Sequence, residues 1–139
     1  ALIAGVIYAE SRFRDQTSSA GARGLMQITP ATARAIASRS GGTQFEERDL
    51  ATPQINIAYG SYYLRLLLDK YDGSEVLALA AYNAGQTNVD RWLAEARAGG
   101  EGFSVAAHIP FAETREYVDR VLQARKDYRS TYPRELGLR

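Results

Sequence analysis

Glu10 is the residue whose position in the sequence least suits its chemistry. Ile3, Val6, Ile7 and Glu10 share one helical face by i, i+3, i+4, i+7 spacing, so a carboxylate closes an apolar stripe. Two readings of it stand side by side. In the first, a glutamate at a frayed helix end pairs with Arg14 at i+4 and does nothing more. In the second, the carboxyl group is held partly dry near a helix C-terminus. Backbone partial negative charge and apolar neighbours there favour the protonated form. A general acid working near neutral pH needs that form. Arg12 and Arg14 oppose it if they turn inward.

Composition narrows the chemistry further. The 139 residues contain no cysteine and one histidine, His108. Thiol nucleophiles, disulfides, cysteine-ligated zinc, iron–sulfur clusters and multi-histidine metal sites are thereby excluded. Acid–base work falls mainly to carboxylates, tyrosines or lysines. Seventeen Lys and Arg against sixteen Asp and Glu give a net charge of +1. That balance argues against a polybasic nucleic-acid-binding or membrane-surface domain. The basic residues are scattered among acids rather than drawn into a stripe, so a helical DNA-binding domain is a weak reading. No apolar run reaches the roughly 20 residues of a membrane span.

The elements that must position Glu10 read as helices throughout. Residues 1 to about 12 are apolar nearly all round, which suits a buried central helix. Residues 15 to 28 read as an ordered loop. Thr29-Pro30 resembles an N-cap followed by proline at the first helical position, and the helix it starts stops at Gly41-Gly42. Thr52-Pro53 repeats that signal for a helix to about Tyr71, with Gly73 beyond it. Ser74 caps a helix over 75–83, and a shorter amphipathic helix carrying Trp92 covers 89–96. Residues 98–108 read as a loop, and a long helix runs from Ala112 to near Tyr132-Pro133. The expectation is an all-α single domain over residues 1–139, built around a buried helix. The chain opens inside a helix with no N-cap, which predicts a piece of a longer, exported protein.

Three clusters accompany Glu10-Ser11. They are Gly24-Leu25-Met26-Gln27, then Ala80-Ala81-Tyr82-Asn83-Ala84-Gly85, then Ile109-Pro110 with Glu113-Thr114 and Tyr117-Val118. Each has a plain explanation by itself. Glycines permit a tight loop, Met26 fills a core, Tyr82-Asn83 closes a helix, and Tyr117 is a core tyrosine. With Asn56-Ile57, Gly60 and Tyr63-Leu64 between them, their order and spacing resemble the transglycosylase SLT domain. That domain is the lysozyme-like catalytic module of the soluble lytic transglycosylases, related to goose-type lysozyme. The resemblance runs from about Leu2 to Val121.

The resemblance implies a role for each matching residue. Glu10 takes the place of the single catalytic acid and base. Ser18 matches a serine that contacts the sugar near the cleavage point. Met26 and Gln27 match residues lining the saccharide groove, and Tyr82 and Asn83 match the pair closing its other side. Tyr117 matches a tyrosine that approaches the catalytic carboxyl group, and Glu113 a glutamate near the groove. Ser11 is read as structural. The implied substrate is the β-1,4 bond between N-acetylmuramic acid and N-acetylglucosamine in peptidoglycan. The implied product is a 1,6-anhydromuramic acid end, formed without metal or cofactor. The implied setting is the periplasm or cell envelope, with peptidoglycan glycan strands as the partner of a monomeric domain. Asp15 is the nearest other acid in sequence, and nothing marks it as the second carboxylate of a paired mechanism. Arg14-Asp15 and Gln86-Thr87 stand where many relatives have Asn-Pro and Pro-Gly. Two rivals remain: a hydrolase of the same bond and fold, and a glycan-binding module without activity.

Overall fold

The computed structural model describes residues 1–39 and 46–137. Among the described residues the chain is all-α. It comprises α1 (Leu2–Ser11), α2 (Pro30–Arg39), α3 (Pro53–Lys70), α4 (Glu75–Ala84), α5 (Gln86–Ala98), α6 (Val105–His108) and α7 (Ala112–Thr131). A 3-10 turn at Glu47–Ala51 precedes α3. Among the described residues, extended pairing is confined to two isolated antiparallel bridges, Thr17 with Arg23 and Arg23 with Ile28.

Local chemistry accounts for most boundaries. α2 and α3 begin on Pro30 and Pro53, where a missing N–H costs nothing. The Thr29 hydroxyl accepts from the Thr32 N–H at 3.3 Å, as its N-cap position predicts. The predicted stop of α2 at Gly41-Gly42 lies outside the described residues. α3 closes with Gly73 left-handed at φ 83, its N–H reaching back to the Leu68 carbonyl at 2.8 Å. The Ser74 hydroxyl then caps α4 by accepting from Leu77 N–H at 3.2 Å.

Two expectations need correction. The helix around Trp92 starts at Gln86 rather than Val89, because Gly85 opens α5 without any side-chain cap. The 98–108 segment is not loop throughout, since Val105–His108 form one helical turn. Ser104 caps that turn by accepting from Ala107 N–H at 3.1 Å. His108 fastens the same turn: its Nδ1 accepts from the Ser104 N–H at 2.9 Å, and its Nε2 lies 3.1 Å from a Glu101 carboxylate oxygen.

The chain divides into two compact units, one of residues 1–63 with 124–139 and one of residues 64–123. α3 and α7 contribute to both. In the first unit the core is Val6, Ile7, Met26, Ile28, Ala33, Ile36 and Leu50. α1 is covered unevenly along its length: Val6 and Ile7 are buried, whereas Ile3, one turn back on the same face, is 39% exposed. In the second unit the core is Leu67, Ala78–Ala81, Val89, Trp92, Ile109, Val118 and Val121. Trp92 meets Phe111 edge to face at 5.2 Å between ring centroids.

Candidate active site

Glu10 occupies the last turn of α1 and is half-buried. The helix ends one residue later, because Arg12 turns left-handed (φ 52, ψ 38) and its N–H closes on the Tyr8 carbonyl. The helical i, i+4 spacing that would pair Glu10 with Arg14 is therefore not kept. Arg12 and Arg14 are exposed, and the Arg12 guanidinium lies 5.5 Å above the Tyr8 ring. No basic residue sits in the last turn of α1, and the helix end brings backbone carbonyl charge toward the carboxyl group.

The helix end is fixed in place by its neighbour. Buried Ser11 donates its hydroxyl to the Leu25 carbonyl at 2.7 Å, sharing the proton with Ile7 at 3.2 Å. This bond ties the residue after Glu10 to the Gly24–Gln27 loop, which is the structural role expected of Ser11.

The loop is held from the other side by Asn56 on α3. Its side chain is fully buried. Its Oδ1 accepts from Met26 N–H at 2.9 Å, and its Nδ2 donates to the carbonyls of Arg23 at 2.8 Å and Leu50 at 3.0 Å. Gly24 must be glycine twice over. Its φ is 78, and a Cβ there would collide with the Asn56 amide. Gly60 lets α3 approach Met26, because a Cβ at that position would strike the methionine side chain. The sequence motif Asn56-Ile57 with Gly60 is thus explained as the seat of this loop. Asn56 was legible only as part of a motif, with no signal of its own task.

The predicted ligand contacts of this unit fare differently. Met26 is 0% exposed and fills the core between the loop and α3, so in this structure it presents no surface to a ligand. The core-filling reading of Met26 replaces the groove-lining one. Ser18 is half-buried and works within its own turn. Its Oγ accepts from Ala22 N–H at 3.0 Å, and its backbone N–H donates to the Ala22 carbonyl at 2.8 Å. Gln27 is half-buried in a left-handed conformation at φ 48. Its Nε2 donates to the carbonyls of Gln16 at 3.0 Å and Gly24 at 2.9 Å. Both amide protons are engaged within the loop, so what Gln27 can offer outward is its Oε1, an acceptor.

The second unit holds the remaining candidates. Tyr82 and Asn83 lie half-buried in the last turn of α4. Asn83 Oδ1 accepts from the buried Thr114 hydroxyl at 2.8 Å, which joins the end of α4 to the first turn of α7 and fixes which way the amide points. Thr114 was read only as a motif letter and emerges as the residue that orients Asn83. Tyr117, one turn along α7, is buried. Glu113 is exposed in the first turn of α7, where a carboxylate suits the helix dipole.

The all-α, lysozyme-like architecture of the described residues is shared with solved lytic transglycosylases. The lytic transglycosylase Slt of Pseudomonas aeruginosa, solved as an inactive mutant with glutamine in place of a glutamate, superposes with a TM-score of 0.81 at 34% identity, covering 93% of this chain and 21% of that one. The 70 kDa soluble lytic transglycosylase of Escherichia coli superposes at 0.84 with 33% identity, over 93% and 21%. The chain belongs to the transglycosylase SLT domain family, whose model matches residues 1–102. In sequence it is 35% identical over 113 residues to the soluble lytic murein transglycosylase of Salmonella typhimurium, covering 81% of this chain and 18% of that one. The chain therefore spans about a fifth of the length of these relatives. The family match stops at 102, before Glu113 and Tyr117, whose assignments rest on the motif resemblance alone.

Proposed function

We propose that residues 1–139 are the catalytic domain of a peptidoglycan lytic transglycosylase, part of a longer protein acting in the periplasm or cell envelope. The observation that carries this reading is Glu10. It is a half-buried carboxyl group at the end of α1, and its neighbour Ser11 is pinned to the loop bearing Gln27. The inactive Glu-to-Gln mutant of the Pseudomonas aeruginosa relative supports a glutamate as the group that matters. Asp15 lies exposed in the loop beyond α1 and supplies no second carboxylate to a paired mechanism.

One carboxyl group then serves both halves of the reaction. Protonated Glu10 gives its proton to the glycosidic oxygen as the C1–O bond between N-acetylmuramic acid and N-acetylglucosamine breaks. The substrate's acetamido group stabilises the electron-poor C1. Glu10, now a carboxylate, takes the proton from the C6 hydroxyl, whose oxygen bonds to C1. The products are a 1,6-anhydromuramic acid end and a free 4-hydroxyl, with no water consumed and Glu10 restored. Gln27 Oε1 and the Asn83 amide NH2 are the polar groups assigned to hold the sugars.

Mass spectrometry of peptidoglycan digests tests the reaction type, because anhydro ends are lighter by one water than reducing ends. Anhydro-ended products are expected. Reducing ends alone would transfer the assignment to a hydrolase of the same bond. Glu10→Gln is expected to lower turnover by about 10³-fold or more while glycan binding survives.

A further inference from the structure

The region around the C-terminus of α7 carries aromatic side chains that the folded core does not use. Phe13 is 49% and Tyr132 is 48% exposed. They flank Tyr128 in a continuous row: Phe13 to Tyr128 spans 6.1 Å between ring centroids at 70°, and Tyr128 to Tyr132 spans 6.1 Å at 33°. Burial first, then the nearby phenols of Tyr8 and Tyr132, push the Tyr128 hydroxyl above its ordinary pKa. It stays a hydrogen-bond donor within a group of three phenols.

The backbone is strained to build this row. Arg12 and Phe13 are consecutive non-glycine residues in the left-handed region, at φ 52 and φ 63. That conformation is unfavourable for any L-residue with a Cβ, and unusual for a bulky one. Here it delivers Phe13 to the surface rather than to the core. A strained residue left half exposed points to a task other than stability.

The row also has a place and a charge. The Arg12 guanidinium lies over the Tyr8 ring, whose phenol acts on Tyr128, and Glu10 lies roughly 200° around α1 from Tyr8. The aromatic row therefore stands on the side of α1 away from Glu10. Residues 12–15 and 125–129 contain five basic residues against two acidic ones, Asp15 and Asp127, in a chain whose net charge is only +1.

We infer that Phe13, Tyr128 and Tyr132 form a saccharide-stacking platform, rimmed by Arg12, Arg14 and Arg129, which holds a peptidoglycan strand outside the cleavage site. The inference rests on the function proposed above for its choice of polymer. Aromatic faces cover the C–H faces of sugar rings, phenol and guanidinium groups bond to their hydroxyls, and the cationic rim complements the carboxylates of stem peptides.

Cosedimentation of the Glu10→Gln chain with purified sacculi tests it. Adding Phe13→Ala and Tyr132→Ala together is expected to weaken sacculus binding at least about fivefold. In the chain that keeps Glu10, the same pair should leave turnover of a soluble peptidoglycan tetrasaccharide within about twofold, since that ligand is too short to need the platform. Phe13→Gly separates binding from folding: it relieves the left-handed backbone, so Tm is expected to hold or rise while sacculus binding falls as with alanine. Unchanged sacculus binding in the double variant would overturn the platform. So would a clear fall in Tm with Phe13→Gly, or equal loss of tetrasaccharide turnover. Self-association of the parent chain that Phe13→Ala abolishes would assign the row to a second copy and overturn it as well. If the parent chain yields no anhydro ends yet the double variant still loses sacculus binding, the cleavage reading fails and the platform stands.

Discussion

The Gly24–Gln27 loop and the Tyr82–Asn83 helix end stand together among the motifs, yet the structure uses them in opposite ways. The loop is fastened from every side. Met26 is sealed in the core, Gly24 and Gly60 make room for close approach, Asn56 holds three backbone groups, and Gln27 spends its amide protons on its own turn. The helix end is tied to α7 by the Thr114–Asn83 hydrogen bond and keeps both of its motif side chains half-buried. The difference teaches that a motif letter can mark a fastening as readily as a contact. Substitutions of Gly24, Met26 and their seat Asn56 should be read in stability, and substitutions at the helix end in activity.

The largest effect is expected at Asn56. Asn56→Ala strands the Met26 N–H and the Arg23 and Leu50 carbonyls in a buried setting, at a cost of about 4 kcal/mol. Chemical denaturation should show the loss, and any protein that remains folded should keep most of its turnover. Loss of turnover without loss of stability would place Asn56 on the ligand side and undo the contrast.

Met26 and Gly60 sharpen the same point as a pair. Met26→Ala removes a fully buried side chain and should cost about 3 kcal/mol. Gly60→Ala pushes a Cβ into that side chain and should cost about 2 kcal/mol. The double variant should cost less than the two separate losses together, because the alanine at 60 then fills the space vacated at 26. Full additivity would show that the glycine is required for some reason other than the methionine.

Thr114→Val addresses the helix end. The change keeps the shape of a buried residue and removes the donor that orients Asn83. About 1 kcal/mol of stability is expected to go. Turnover should fall about tenfold, because a misaimed amide costs on the order of 1.4 kcal/mol of transition-state binding. If stability falls and turnover does not, Asn83 is a fastening too, and the two regions are alike.

How much of this was legible in the sequence follows the range of the forces involved. The starts of α2, α3 and α4 could be read from Thr29-Pro30, Thr52-Pro53 and Ser74, because capping is decided within four residues. The 3-10 turn at Glu47–Ala51 was not foreseen. Its capping box is built from Glu46 and Asp49 rather than from a serine or threonine. α6 was missed because its closure depends on a histidine ring returning to the Ser104 N–H. Glu10 could be singled out because it breaks an apolar periodicity along one helix. The burial of Met26 could not be read that way, since it depends on Gly60, thirty-four positions away in sequence.

The smallest effect is expected at Asp90, on the helix that follows the Tyr82–Asn83 segment. One of its carboxylate oxygens accepts from Lys70 Nζ at 2.8 Å and the other from the Tyr71 hydroxyl at 2.9 Å, joining α5 to the end of α3. The Lys70 hydrogen bond is the main cause holding its pKa below the ordinary carboxylate value. Burial acts the other way, and the Tyr71 bond and the Lys70 charge add to the lowering. A lowered folded pKa means that the folded state binds its proton later than the unfolded chain as pH falls. The contribution is therefore complete above the unfolded value of about 3.9 and is lost as pH drops through the lower folded value. The side chain is 49% exposed, so solvent screens most of the effect. Asp90→Asn should lower Tm slightly at pH 7, and the gap should start to close below about pH 4 and vanish once pH has fallen through the lower folded value, where the parent carboxylate is itself protonated. A Tm gap that persists unchanged into acid would assign the link to neutral hydrogen bonding rather than charge. The polar ties of this unit would then resemble those of the Asn56 loop more closely than their exposure suggests.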